Sequence, residues 1–125
     1  MTERLTPEAD DYFVLKPKHS AFFATTLETL LDYLGCDRLI LTGITGDICV
    51  LFTASDAYMR DYSLIVPEDC MASTSEENNR RALEYIQRVH HADTTPSTQI
   101  DLAKLWSAQP RTDDEAAGND DSARW

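Results

Sequence analysis

The segment Gly43-Ile44-Thr45-Gly46-Asp47-Ile48-Cys49-Val50 constrains the fold of this chain more than any other. It joins a strongly apolar run, Leu39-Ile40-Leu41, to a helical one carrying Phe52, Thr53, Ala54, Ala57 and Tyr58. Two glycines give the connection backbone freedom, and a cysteine falls at the expected start of the helix. Unpaired backbone N–H groups and the positive end of the helix dipole favour an anion at such a place. Strand, tight turn, nucleophile and helix, in that order, form the arrangement of an activated-nucleophile hydrolase. Free cysteine is also among the most buried residue types, so position alone leaves core filling open for Cys49.

The rest of the chain alternates in the same way. Residues 12–16 read as a short buried strand bounded by Pro17. Thr25-Thr26-Leu27-Glu28 fits a capping box, and Leu27, Leu30, Leu31 and Leu34 then form one apolar helical face that Gly35 ends. Arg38 to Thr42 predicts the next strand, and the helix holding Cys49 runs to about Arg60. Ser63 to Val66 predicts a third strand, stopped by Pro67. Ser73-Thr74-Ser75-Glu76 predicts a second capping box for a helix with Ala82, Leu83, Ile86 and Val89 turned inward. Thr98-Gln99-Ile100 reads as a final short strand, and Asp101 to Trp106 as a last helical turn or two. Alternating strands and helices imply an α/β fold with a parallel, Rossmann-like sheet and right-handed crossovers. Ligands bind beyond the carboxyl ends of the strands in such sheets, where both Lys16 and the Gly43–Cys49 turn are expected.

Charge and length narrow the function classes. A chain of 125 residues holds one small domain. We expect a polar lead-in over 1–11, the domain over 12–107, and an acidic, disordered tail over 108–125, where Gly, Ala, Ser and acidic residues leave little to bury. A net charge of −11 argues against nucleic acid or an anionic membrane surface as partner. No apolar run approaches the roughly 20 residues of a membrane span. The absence of a signal-peptide pattern at Met1 and three cysteines, Cys36, Cys49 and Cys70, without metal or CxxC spacing predict a reducing cytoplasm.

The residues around the turn carry a more specific likeness. Lys16-Pro17-Lys18-His19-Ser20-Ala21-Phe22 precedes it, Thr53-Ala54-Ser55-Asp56-Ala57-Tyr58 follows it, and Val66-Pro67-Glu68-Asp69-Cys70 and Asp93-Thr94-Thr95-Pro96-Ser97-Thr98 come later. In this order and spacing, from about Tyr12 to about Leu105, the set resembles the isochorismatase-like cysteine hydrolases, which include nicotinamidases and N-carbamoyl amidohydrolases. The resemblance implies hydrolysis of a C–N bond in a small amide or N-carbamoyl substrate. Ether hydrolysis of isochorismate finds no specific support in these residues. No cofactor is expected, and a homo-oligomer is the expected assembly. The runner-up is a non-catalytic α/β remnant that binds a partner chain or a small molecule; a redox-active thiol protein comes third.

That family uses an Asp, a Lys and a Cys. The resemblance makes Cys49 the nucleophile and Lys16, 33 residues earlier, its cation. It makes the N–H groups of Thr45 and Cys49 the oxyanion donors, puts a cis peptide between Ile44 and Thr45, and gives Ser20 and Phe22 to the substrate pocket or its loop, a purely structural role being the equal alternative. The family Asp ends an apolar first strand. No such strand precedes Tyr12, and Asp10 and Asp11 are a polar lead-in that does not match it. The strands present resemble the third to sixth of the family sheet, so we expect a chain truncated at its front, with exposed sheet edges, uncovered helix faces and impaired catalysis. No metal site is expected, since the metal-binding members use residues in the missing part. His19 reads as a surface or hydrogen-bonded histidine rather than a base, and Asp47 as a helix cap rather than a substitute acid. Cys36 and Cys70 read as structural. His90-His91 ends a helix, where a cationic histidine favours the dipole.

Overall fold

A computed structural model describes residues 6–107. The elements run α1 (Leu27–Leu34), β1 (Arg38–Ile40), β2 (Gly43–Ile44), a π-helical turn (Gly46–Val50), α2 (Leu51–Tyr58), β3 (Ser63–Ile65), a 3-10 turn (Glu68–Cys70), β4 (Met71–Ala72), α3 (Glu76–Val89), a second 3-10 turn (Ser97–Gln99) and α4 (Leu102–Ser107). The tail expected over 108–125 lies outside the described residues.

Both strand pairs are parallel, as alternation demands. β1 pairs with β3 in the register Leu39↔Leu64, and β2 with β4 in the register Gly43↔Met71 and Ile44↔Ala72. Leu41 N–H donates to Ile65 O at 2.8 Å and extends the first pair. On the far side of β3, Asp93 N–H donates to Leu64 O at 2.9 Å and Val66 N–H to Asp93 O at 2.7 Å, forming a parallel bridge between Ile65 and Asp93. β3 is therefore central. Leu64, Ile65 and Val66 are all buried, as expected of a strand covered on both faces. The core is Phe22, Leu31, Val50, Ala54, Ala57, Leu64, Val66, Met71, Ala82, Ile86 and Ala92. Ala54 and Ala57, fully buried on α2, let that helix lie close to the sheet and α3.

Several local expectations are corrected. Residues 12–16 form no strand. A strand exists only through a ladder partner; none of the described residues pairs with this segment, and Phe13 and Leu15 are 73% and 93% exposed. The Thr25–Glu28 capping box does not form: the Thr25 hydroxyl takes the Leu27 N–H instead of that of Glu28 and donates to Ala21 O, while Glu28 pairs with Arg60, just past the end of α2, at 3.1 Å. Leu31 of the predicted face is buried, but Leu34 is exposed. Gly35 ends the helix in the left-handed conformation, φ 64°, with its N–H on Asp32 O. The cap of α3 is Ser75, which accepts from Asn78 N–H at 3.1 Å, and not Ser73. Gly43 and Ile44, read as turn, form β2, and the short strand expected at 98–100 is the second 3-10 turn, the last parallel bridge falling at Asp93 instead.

Candidate active site

The carboxyl end of β1 and the short β2 deliver the chain to the π-helical turn, and from Gly46 to Tyr58 the backbone is continuously helical. Cys49 lies in its opening turn, half-buried, one residue ahead of the buried Val50. The peptide between Ile44 and Thr45 is cis. Thr45 O accepts from both Ile48 N–H (3.3 Å) and Val50 N–H (3.1 Å), closing the wide turn. Asp47 N–H is taken by Ser73 Oγ at 3.0 Å. Thr45, not Asp47, occupies the cap position, and Asp47 makes no side-chain cap bond; its Oδ1 is buried with no hydrogen-bond partner among the described residues.

Lys16 reaches this turn from an extended segment with no strand of its own. Its ammonium donates to Lys18 O at 3.0 Å and to Cys49 Sγ at 3.4 Å, so a separation of 33 residues closes to one contact. Among the described residues no carboxylate forms an ion pair with Lys16. An open cavity of about 330 Å³ lies beside the pair, with Ala21, Thr42, Ile44 and Thr53 in its wall. Thr53 was not singled out from the sequence, yet it ties two parts of the site. Its hydroxyl accepts from Ala21 N–H at 3.0 Å and donates to Cys49 O at 2.7 Å.

Ser20 and Phe22 do not line this cavity. Phe22 is in the core, its ring 5.9 Å from that of Tyr62 and 4.9 Å beneath the Arg60 guanidinium. Ser20 is buried and spends its oxygen on Phe22 N–H at 3.1 Å. A large apolar ring two residues beyond Ser20 finds more surface to bury against α2 and β3 than over an open cleft, so the loop presents Ala21 instead. His19 packs its ring 5.6 Å from Phe52, and the side-chain partner of Cys49 Sγ is Lys16. No cluster of three or more His, Cys, Asp or Glu able to hold a metal occurs among the described residues. No helix there is long and apolar enough to cross a membrane.

A parallel α/β core with a cysteine turn beyond its strand ends defines an α/β domain of isochorismatase type. The chain belongs to the isochorismatase family, whose domain model matches residues 1–99. It is 53% identical over 97 residues to the uncharacterized isochorismatase family protein YaaI of Bacillus subtilis, a match covering 78% of this chain and 54% of that one. It is 37% identical over 86 residues to enterobactin synthase component B of Escherichia coli K12, covering 69% of this chain and 30% of the relative. The chain thus spans about half, or less, of the length of these relatives. Among solved structures, N-carbamoylsarcosine amidase from Thermoplasma acidophilum superposes with a TM-score of 0.72 at 36% identity, over 80% of this chain and 56% of that one. The nicotinamidase PncA from Bacillus subtilis superposes with a TM-score of 0.64 at 33% identity, over 66% and 45%.

Proposed function

We propose that the chain carries the thiol half of a cysteine hydrolase site that cleaves a C–N bond in a small amide or N-carbamoyl compound. One observation carries the reading: the Lys16 ammonium lies 3.4 Å from Cys49 Sγ in the opening turn of a helix, at the carboxyl end of a parallel sheet. A cation at that distance stabilises negative charge on sulfur. Solved relatives named as an N-carbamoylsarcosine amidase and a nicotinamidase support an amide or N-carbamoyl substrate.

In this reading the thiolate attacks the substrate carbonyl carbon. The tetrahedral oxyanion is received by the N–H groups of Thr45 and Cys49, the donors that the family resemblance implies; those of Asp47, Ile48 and Val50 have partners of their own. Collapse breaks the C–N bond, the amine leaves with a proton, and water then hydrolyses the thioester to free Cys49. The step needs a group to take the thiol proton and give it to the amine. Lys16 has no proton-accepting carboxylate beside it among the described residues, so the proposed reaction is slow in this chain alone.

Alkylation tests the reading. With limiting iodoacetamide near neutral pH, Cys49 should be modified faster than Cys36 and Cys70, as followed by peptide mass spectrometry. Equal rates for the three thiols would favour the runner-up, a non-catalytic binding module.

A further inference from the structure

We infer that Ser73 and Asn79 are positioning residues for the Cys49 turn, an inference that takes its functional meaning from the reactive-thiol reading above. Ser73 stands directly after β4, and Asn79 projects from the first turn of α3. Neither touches the cavity beside Lys16. Ser73 Oγ accepts the Asp47 N–H at 3.0 Å and donates its own proton to Asn79 Oδ1 at 2.9 Å. The Asn79 amide completes the relay by donating from Nδ2 to Met71 O at 3.3 Å. The Asp47 N–H can only donate and the Met71 carbonyl and Asn79 Oδ1 can only accept, so the four residues form a chain with a fixed sense.

This relay is where the turn is held. Before the cis peptide, β2 is laddered to β4 through Gly43↔Met71 and Ile44↔Ala72. After it, Asp47 is fastened to the residue that follows β4. The same β4 segment therefore grips the chain on both sides of Thr45. The close approach has a steric counterpart at Gly46, where a side chain would collide with Asn79 Oδ1 and come within 2.8 Å of Met71 Cε and 3.1 Å of Ser73 Oγ. Asn79 is itself fixed, its N–H bonded to Ser75 O at 3.1 Å in the capped start of α3. Cys49 is two residues beyond the anchored Asp47, so the relay sets where the sulfur stands relative to Lys16.

The test measures two quantities in the full chain: hydrogen exchange at the Asp47 amide, and the rate of Cys49 alkylation relative to Cys36 and Cys70. Ser73→Ala should speed Asp47 exchange and lower the alkylation ratio on the order of tenfold, the scale on which a reacting group suffers from sub-ångström misplacement. Ser73→Thr keeps the hydroxyl and should restore both. Asp93→Ala, which removes the side-chain bonds to Thr95 and touches no member of the relay, should lower stability and leave the ratio unchanged. Asn79→Asp has the same shape but cannot donate to Met71 O; it should lower the ratio too, and it decides the matter if Ser73→Ala fails to fold. Unchanged Asp47 exchange and an unchanged ratio in folded Ser73→Ala or Asn79→Asp would overturn the inference. If all three thiols of the wild-type chain label alike, the hydrolase reading fails, and Asp47 exchange alone then decides whether the relay holds the turn.

Discussion

Ser55 and His90 fix each other's protons. The Ser55 hydroxyl gives its single hydrogen to Leu51 O at 2.9 Å, so its 3.2 Å contact with His90 Nε2 requires the imidazole to donate. His90 is then the neutral Nε2–H tautomer. Its Nδ1 is buried with no partner among the described residues, and the ring packs against Tyr58 and Tyr85 at 5.3 and 5.4 Å. Of the two histidines that the sequence put at the helix end, His90 does not supply a cation: it is only 6% exposed, and burial makes a charge there costly.

A pH dependence follows. Burial first, and the neighbouring His91 second, hold His90 below its usual value of 6.5. The unfolded chain therefore takes up a proton as pH falls through about 6.5 while the folded chain does not, and the unfolded state gains. This contribution to stability is full above that pH and declines below it. Asp69, held low by Ser97, and Asp93, held low by Thr95, lose their stabilisation only as pH falls through and below the ordinary carboxylate value of 3.8, so the two windows separate. Denaturant unfolding at about pH 7.5 and about pH 5.5 should show a smaller pH effect in His90→Phe than in the wild type. Equal pH effects in the two proteins would remove His90 as the cause.

The Lys16–Cys49 contact predicts a charge effect on reactivity. Lys16→Met keeps most of the chain's bulk and removes the cation, and should slow Cys49 alkylation about fivefold, the scale of one unit charge at this distance in a water-exposed site. Added salt should narrow the difference, because exposed charges are screened. Cys36 and Cys70 serve as internal references. A Lys16→Met protein whose Cys49 reacts at the wild-type rate would deny Lys16 its role.

Gly46 predicts a packing effect. Its φ is not in the left-handed region, so alanine there is not excluded by backbone conformation; the obstacle is the crowd formed by Asn79, Met71 and Ser73. Gly46→Ala should destabilise the chain by ~1–3 kcal/mol, the usual range for overpacking. Asn79→Ala in the same background should recover part of that loss, since it clears the nearest atom. A purely additive double mutant, read from denaturant midpoints, would show that the two sites are not coupled through this contact.

What was legible in the sequence was what short-range chemistry decides. Alternating apolar runs gave parallel pairing, Gly35 gave a helix stop, and the Gly43–Val50 pattern gave a turn with Cys49 at a helix opening. Neither capping box formed as the sequence drew it, because its members found other partners. Ser75 took the cap of α3, which left Ser73 for Asp47, and Glu28 preferred Arg60 to its own helix. Phe22 and Ser20 went inward for a reason that periodicity does not carry, namely the surface offered by Tyr62 and Arg60 from a different part of the chain. Residues 12–16 have strand composition, but a ladder partner is a tertiary fact. The Ser73–Asn79 relay gave no local signal; its bonds run to Met71 and, 26 residues back, to Asp47.

Turnover is the sharpest test of the proposed site. Thiol and cation stand together, and among the described residues no carboxylate ion-pairs with Lys16. A positioned acid/base group contributes on the order of 10²–10⁴-fold to such reactions, so ammonia release from simple amides and N-carbamoyl amino acids should stay near background even while Cys49 alkylates readily. Supplying in trans the part of YaaI that the match leaves uncovered should raise the rate, and Cys49→Ser should then abolish it. The order of the two effects matters: restored turnover that survives Cys49→Ser would belong to the added segment. Robust turnover by the 125-residue chain alone would mean that another group moves the proton. Asp47, whose Oδ1 two residues before the sulfur is buried without a partner among the described residues, is the first to replace by Asn in that event, and the view of the site as a thiol awaiting its acid would be wrong.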